Sequence, residues 1–417
     1  MTTKNNIPTG YKDSAVGIIP QEWKVKRLAE LCQNTGDYGI NAPAVPYRED
    51  LPTYLRITDI DSWGKFIKTD KASVDNPNSS QFILREGDIV FARTGATVGK
   101  TYLYDSKDGQ LVFAGFLIRF TPNSNKAVPY YIKACTETAS YWNWVRVISQ
   151  RSGQPGINSV EYGAMKLAVP LMEEQRKIAE ILGVWDEAIE KQSRLIEKLE
   201  LRKRALMQRL LTGRTRLPGF TAPWQKCLYS DILKEVKRTM TWDDNEEYDL
   251  ISVKRRSGGL FHRDRLLGKD IKTKNLRPAK CGDFLISKMQ IVHGASGLVT
   301  EEFDEMKISG SYIALVAING DMVDMKFINW YSKTPYFYHQ TYVSSYGVHI
   351  EKMTFDLESF MSMNIMLPPF PEQKAIVAVL TTADDEIATH RKKLDALRLQ
   401  KRGLMQQLLT GKTRVKI

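Results

Sequence analysis

The sequence predicts an α+β chain: two mixed α/β domains separated by two long helices, which pair antiparallel within the chain under a pseudo-two-fold relation. Three observations carry this. Residues 206–216 read LMQRLLTGRTR and residues 404–414 read LMQQLLTGKTR. The likeness runs back at a constant offset of 198 residues, from Pro170, Glu174, Gln175, Ile178 and Leu182 to Pro368, Glu372, Gln373, Ile376 and Leu380. Each copy follows a longer, less similar stretch, so the order is variable, repeat, variable, repeat. A period this long marks two duplicated modules rather than a solenoid. The predicted segments are 1–168, 169–213, 214–366 and 367–417.

In the first segment, Trp23 follows Pro20, and Ile89-Val90-Phe91 reads as a buried strand after Gly87-Asp88. Leu111 to Phe120 adds strand, and the aromatic-rich stretch Pro129 to Val147 is helical in part. These lengths and bounding turn residues suit a mixed unit with a strongly curved sheet.

The first repeat is a long helix. Ile178, Leu182, Trp185, Ile189, Gln192, Ile196, Leu199, Lys203, Leu206 and Leu210 are spaced in alternating steps of four and three, the spacing of a coiled-coil seam. Prolines stand only before it, and Gly213 follows as a stop. At ~1.5 Å per residue such a helix spans about 55 Å. Its front half is acidic and its back half basic. The same holds in the second copy, so antiparallel pairing is attractive and parallel pairing repulsive. The polar seam positions Gln192, Lys203, His390 and Lys401 would set register.

The third segment echoes the first. REGDIVFAR at 85–93 matches KCGDFLISK at 280–288, and Trp224 follows Pro223. Ile308 to Ile318 is strand, and Lys326 to Tyr342 is helical in part. The fourth segment repeats the long helix and ends at Gly411.

Composition narrows the function. The net charge is +12, a surplus that favours a polyanion, nucleic acid before an anionic membrane. No apolar run reaches the ~18–20 residues of a membrane span. The polar start is no signal peptide. Cys32, Cys135, Cys227 and Cys281 form no paired motif, which suits a reducing cytoplasm, and the five histidines lack zinc-binding spacing.

The basic residues gather in turns. The candidate DNA contacts of the first domain are Arg56, Thr58, Arg93, Thr94, Gly95, Arg151, Ser152 and Gln154. Those of the second are Lys254, Arg255, Arg256, His262, Arg263, Lys288 and Gln290. Arginine and lysine read guanine edges, glutamine reads adenine edges, and backbone amides in glycine turns meet phosphate.

Three catalytic look-alikes fall short. GATVGKT at 95–101 is one residue too short for a phosphate-binding loop, because Thr94 stands where the first glycine belongs. Leu367-Pro368-Pro369-Phe370 resembles the catalytic loop of amino-methyltransferases, but Leu367 replaces its Asn or Asp. Glu305-Met306-Lys307 has nuclease-like spacing without the upstream Pro-Asp. The chain reads as a recogniser without chemistry of its own.

This order resembles the specificity subunits of type I restriction–modification systems. The resemblance covers nearly the whole chain. It is carried by VPLMEEQRKIAEIL and LPPFPEQKAIVAVL, by the closing LLTGRTR and LLTGKTR, and by GDIVFARTG. The first opening departs at Val169 and at Leu171, which replaces a second proline. The resemblance implies that each variable segment is a target recognition domain reading half of a split double-stranded DNA site. It implies that the paired helices act as ruler and as platform for methyltransferase subunits, and that endonuclease/translocase subunits join the larger assembly. S-adenosylmethionine, ATP and magnesium would belong to those partners, with no cofactor on this chain. The alternative is a self-contained methyltransferase or restriction enzyme with fused recognition domains.

Overall fold

A computed structural model describes residues 7–150 and 154–417. The chain divides into two compact units. One takes the chain up to Ser193 together with Lys393–Ile417, and the other is Arg194–Lys392. Each unit holds one α/β domain and one half of each long helix.

In the first unit the expected curved sheet is two four-stranded sheets. One orders Leu111–Phe113, Thr53–Leu55, Ala72–Ser73 and Val45–Pro46; the other orders Asp37–Tyr38, Leu117–Phe120, Ile89–Ala92 and Thr101–Leu103. The stretch read as strand from Leu111 to Phe120 breaks at Gly115-Phe116. There the Leu117 amide donates to Ala114 O and the chain crosses to the second sheet. All four residues of Ile89–Ala92 are buried, as in a strand covered on both faces. The helices Pro129–Cys135 and Ala139–Ile148 cover that sheet. Lys24–Arg27 pairs antiparallel with Lys166–Val169 and closes the domain.

The second unit repeats this plan. Glu247–Val253 pairs with Leu260–Leu267, and Phe284–Ser287 lies between Tyr312–Ala317 and Ser296–Leu298. Gln225–Leu228 pairs with Asn364–Leu367 as the closing ribbon. Gly310-Ser311 interrupts the stretch read as strand from Ile308 to Ile318.

The long helices are Met172–Leu210 and Phe370–Leu408, 39 residues each. Seam residues Ile178, Leu182, Ile196, Leu199 and Leu210 of the first are buried, as are Ile376, Leu380, Ala383, Ile387 and Leu394 of the second. The pairing is antiparallel. In the first unit Ile178 and Leu182 pack with Met405, Leu408 and Leu409. In the second, Leu210 and Leu211 pack with Ile376, Val377 and Leu380.

The repeated motifs explain themselves in the way each end meets each start. Glu174 is 1% exposed at the start of the first long helix. Arg414 grips it with Nε at 2.7 Å and Nη2 at 2.9 Å, and the Trp23 indole donates to it at 3.0 Å. In the second unit Arg216 grips Glu372 with two bonds of 2.6 Å, and Trp224 donates at 3.1 Å. Burying a carboxylate is costly unless it is paired and its lone pairs are filled. The fork of Arg and the indole N–H do both. The neighbouring glutamines dock the domains: Gln175 accepts from the Val128 amide and donates to Pro170 O, and Gln373 accepts from the Asp324 amide and donates to Pro368 O. Gly213 and Gly411 both have φ of 69°, the left-handed conformation that ends a helix at little cost only for glycine. A Cβ at Gly411 would also overlap Pro20.

Candidate nucleic-acid interface

In the second domain the turn Lys254–Gly259 joins the two longest strands of its sheet. Lys254, Arg255 and Arg256 are exposed. Arg256 and Ser257 have φ of 57° and 52°. Two main-chain bonds hold this conformation: Arg256 N donates to His293 O at 2.6 Å, and Ser257 N to Gly294 O at 2.9 Å. The Ser257 and Tyr338 hydroxyls bond at 2.8 Å. A side chain at Gly294 would overlap that tyrosine, so the glycine permits the contact. The basic turn is therefore clamped onto the turn Lys288–Gly294, which carries Lys288 and Gln290. Arg255 and the His293 ring both lie 3.3 Å from Glu351.

Gln290 has a buried Oε1 with no hydrogen-bond partner among the described residues. Lys288 lines a cleft of about 870 Å³ with Lys237, Arg238, Lys274 and Arg277, four basic residues outside the basic turns picked out in the sequence. Arg238 lies far from Lys274 and Arg277 in the sequence, and none of them sits in a motif. His262 and Arg263 lie on the exposed face of Leu260–Leu267, where His262 Nε2 meets Asp249 at 2.8 Å and Arg263 lies 3.7 Å from Asp264.

In the first domain, Arg93, Thr94, Gly95 and Gln154 come together. Ile157 N donates to Arg93 O at 2.9 Å, Thr94 bridges Gly156, and Gly95 N donates to Pro155 O at 3.1 Å. The Arg93 guanidinium lies over the Tyr38 ring at 4.8 Å. Gly95 has φ of 71°, and a Cβ there would lie 3.1 Å from Gln154 Nε2. The second domain repeats this joint, with Phe355 N donating to Lys288 O at 2.9 Å. Arg151 and Ser152 lie outside the described residues. Arg56 and Thr58 stand apart from this cluster of bonds. Arg56 forks onto Asp59, with Nη2 at 2.7 Å from it and 3.0 Å from Asp70 O, and Thr58 donates to Asp59 at 3.4 Å.

The look-alike motifs have packing roles. The Lys100 ammonium donates to Ile60 O at 3.1 Å, and the Thr101 hydroxyl bonds Thr136 in the core. Leu367 pairs with Gln225 in the closing ribbon, and Pro368 O accepts from Gln373, so this segment is a strand-to-helix joint. Burial pushes the Cys32 and Cys135 thiols up to about 12, which keeps both un-ionised at neutral pH. Among the described residues no group of His, Cys, Asp or Glu could hold a metal ion, and no helix is long and apolar enough to cross a membrane.

The model of the type I restriction modification DNA specificity domain matches this chain twice, at residues 20–201 and 230–399. The chain belongs to that family. It is a type I restriction–modification specificity subunit with two recognition domains. It is 26% identical over 426 residues to the type I restriction enzyme MjaX specificity subunit of Methanocaldococcus jannaschii, covering 97% of each chain. The MjaVIII specificity subunit of the same organism is 20% identical over 430 residues, covering 95% of this chain and 94% of its own. The specificity subunit's fold is shared by the S subunit of M. genitalium, with a TM-score of 0.57 at 12% identity, covering 98% of each chain. A chain from a study of type I R-M complex assembly and conformational transition gives a TM-score of 0.56 at 17% identity, covering 95% of this chain and 99% of its own.

Proposed function

We propose that the two recognition domains, assigned to 1–168 and 214–366, each read one half of a bipartite double-stranded DNA site. The helical segments 169–213 and 367–417 set the unread gap and dock methyltransferase subunits, and through them the endonuclease/translocase subunits. The chain performs no catalysis of its own. S-adenosylmethionine, ATP and magnesium act on the partner subunits, in the cytoplasm. One observation carries this reading: one scaffold is built twice, and its conserved joints hold turns of different sequence. Arg93-Thr94-Gly95 with Gln154 stands in one domain, and Lys254–Ser257 with Lys288 and Gln290 in the other. Readers of different sequence imply unlike half-sites, since base edges are read by particular side chains.

Arg56 acts in this reading as a strut through Asp59 rather than as a base reader. The remaining cluster residues divide into base readers at the turn tips and phosphate contacts around them. The test is methylation mapping of a genome with and without the gene, beside methyl transfer by the purified chain and by the complex. The expected result is a split motif modified only when the gene is present, and transfer only by the complex. Transfer by the chain alone would favour a self-contained enzyme.

A further inference from the structure

The two units build the same joint with opposite charge at one position. In the first, seam residue Lys401 donates to Asp186 at 2.8 Å and to Glu137 at 3.2 Å. Lys133 pairs with the same Glu137. Glu137 directly precedes Thr138, the N-cap of the helix Ala139–Ile148. In the second unit the repeat places Lys203 and Asp384 at the matching positions, and they form an ion pair. The residue preceding the matching N-cap, Thr334 of the helix Pro335–Val343, is Lys333. An ammonium thus stands where the first unit has a carboxylate.

Lys333 Nζ lies 4.1 Å from the Trp330 ring centroid, and Lys203 Nζ lies 5.2 Å from the same ring. Among the described residues no carboxylate lies within ion-pair reach of Lys333. Burial lowers its pKa; Asp384 opposes that, and Lys203 adds to it. The joint opens into a cleft of about 1240 Å³. Two pairs on its wall cancel, Lys203 with Asp384 and Arg391 with Glu200. Arg204, Arg256 and Lys333 then face only Asp385. Arg256, Ser257 and Gly258 form one wall, so the cleft adjoins the clamped basic turn.

We propose that this cleft seats a backbone phosphate of the DNA strand beside the second domain's reading turn, with Lys333 as the cation at its floor. The inference rests on the DNA-reading function proposed above. Phosphate contacts surround base contacts and fix register, and a phosphate supplies the negative charge that this joint lacks. The first unit's joint is already balanced and takes none.

The test uses the full chain in complex with its methyltransferase subunits. Binding to a duplex carrying the mapped site, and to a scrambled duplex, is measured across a salt series. Lys333→Glu copies the first unit's charge, with Lys203 available to pair with it as Lys401 pairs with Glu137. Lys333→Met keeps the stem on Trp330 and controls for folding, which a thermal melt checks. Both variants are expected to weaken both duplexes by a similar factor. The slope of log K against log salt should fall by about one, the value for one lost phosphate contact. Wild-type affinity and slope in the folded variants would overturn the inference. So would a loss confined to assembly with the methyltransferase, which would put an acidic protein surface in the cleft. A wild-type complex with no sequence preference would overturn the recognition reading itself.

Discussion

Arg256 and Ser257 hold a backbone conformation that costs an L residue about 1–2 kcal/mol. Such strain persists only where its surroundings enforce it, and it concentrates at functional sites. Here His293 and Gly294 enforce it. Replacing Lys254 and Arg256 together with alanine should relax discrimination in one half-site and leave the other intact, as read by binding-site selection. Equal losses in both halves would sink the assignment. The locks make a second prediction at this scale. Arg414→Ala leaves the buried Glu174 with only its indole donor, and Arg216→Ala does the same to Glu372. Each should cost on the order of 3 kcal/mol, measured by urea denaturation, because a buried charge loses its partner. Sequence reading located the basic turns because charge and glycine are visible in one dimension. Arg56 is visible in the same way as a candidate DNA contact. The fork onto Asp59 depends on a 3-10 turn that brings residues three apart together, and composition does not report that turn.

The long helices were the most legible elements, since a seam of alternating steps needs only local spacing. Their polar seam positions were legible as positions but not as partners. Lys401 finds Glu137 of the recognition domain as well as Asp186 of its own helical partner. That contact joins parts of the chain that only the tertiary fold brings together. It gives the first unit a pH signature. Burial raises the Glu137 pKa, but Lys133 and Lys401 outweigh it and leave it below 4.5. Burial lowers the Lys401 pKa, but Glu137 and Asp186 outweigh it and leave it above 10.5. The Glu137 contribution is present above its unfolded value and is lost as pH falls through the folded one. The Lys401 contribution is present below 10.5 and is lost as pH rises through its raised folded value. Denaturant midpoints of the wild type should therefore fall at both extremes, and Lys401→Met should flatten both limbs. At the same scale, inserting one or two helical turns after Leu199 should lengthen the unread gap in the methylated motif. An active variant with an unchanged gap would remove the ruler role.

At the level of the whole chain, duplication was plain in the sequence while the topology of each domain was not. The repeated helices kept their residues because both copies make the same lock and the same docking bonds. The recognition domains kept the strand order of one sheet, with Phe284–Ser287 placed as Ile89–Ala92 is, and the joints, but few side chains. Only weak echoes such as REGDIVFAR and KCGDFLISK survive. Their short strands pair across long loops, for example Asp37–Tyr38 with Leu117–Phe120. Periodicity cannot foretell such pairings, so one curved sheet was expected where two occur.

The lock made by Arg414 has a consequence for how the polypeptide matures on the ribosome. Domains usually fold in the order in which they are made. Here Trp23, Ile178 and Leu182 share a core with Met405, Leu408 and Leu409. This core of the first unit thus waits until residues 393–417 are translated, about 10–40 s later at ordinary elongation rates. Arg194–Lys392 is continuous and carries no such delay. Nascent chains stalled at residue 417, with residues beyond 392 still in the exit tunnel, should yield a protease-resistant 194–392 fragment while the unpartnered helix stretch 172–193 is cleaved.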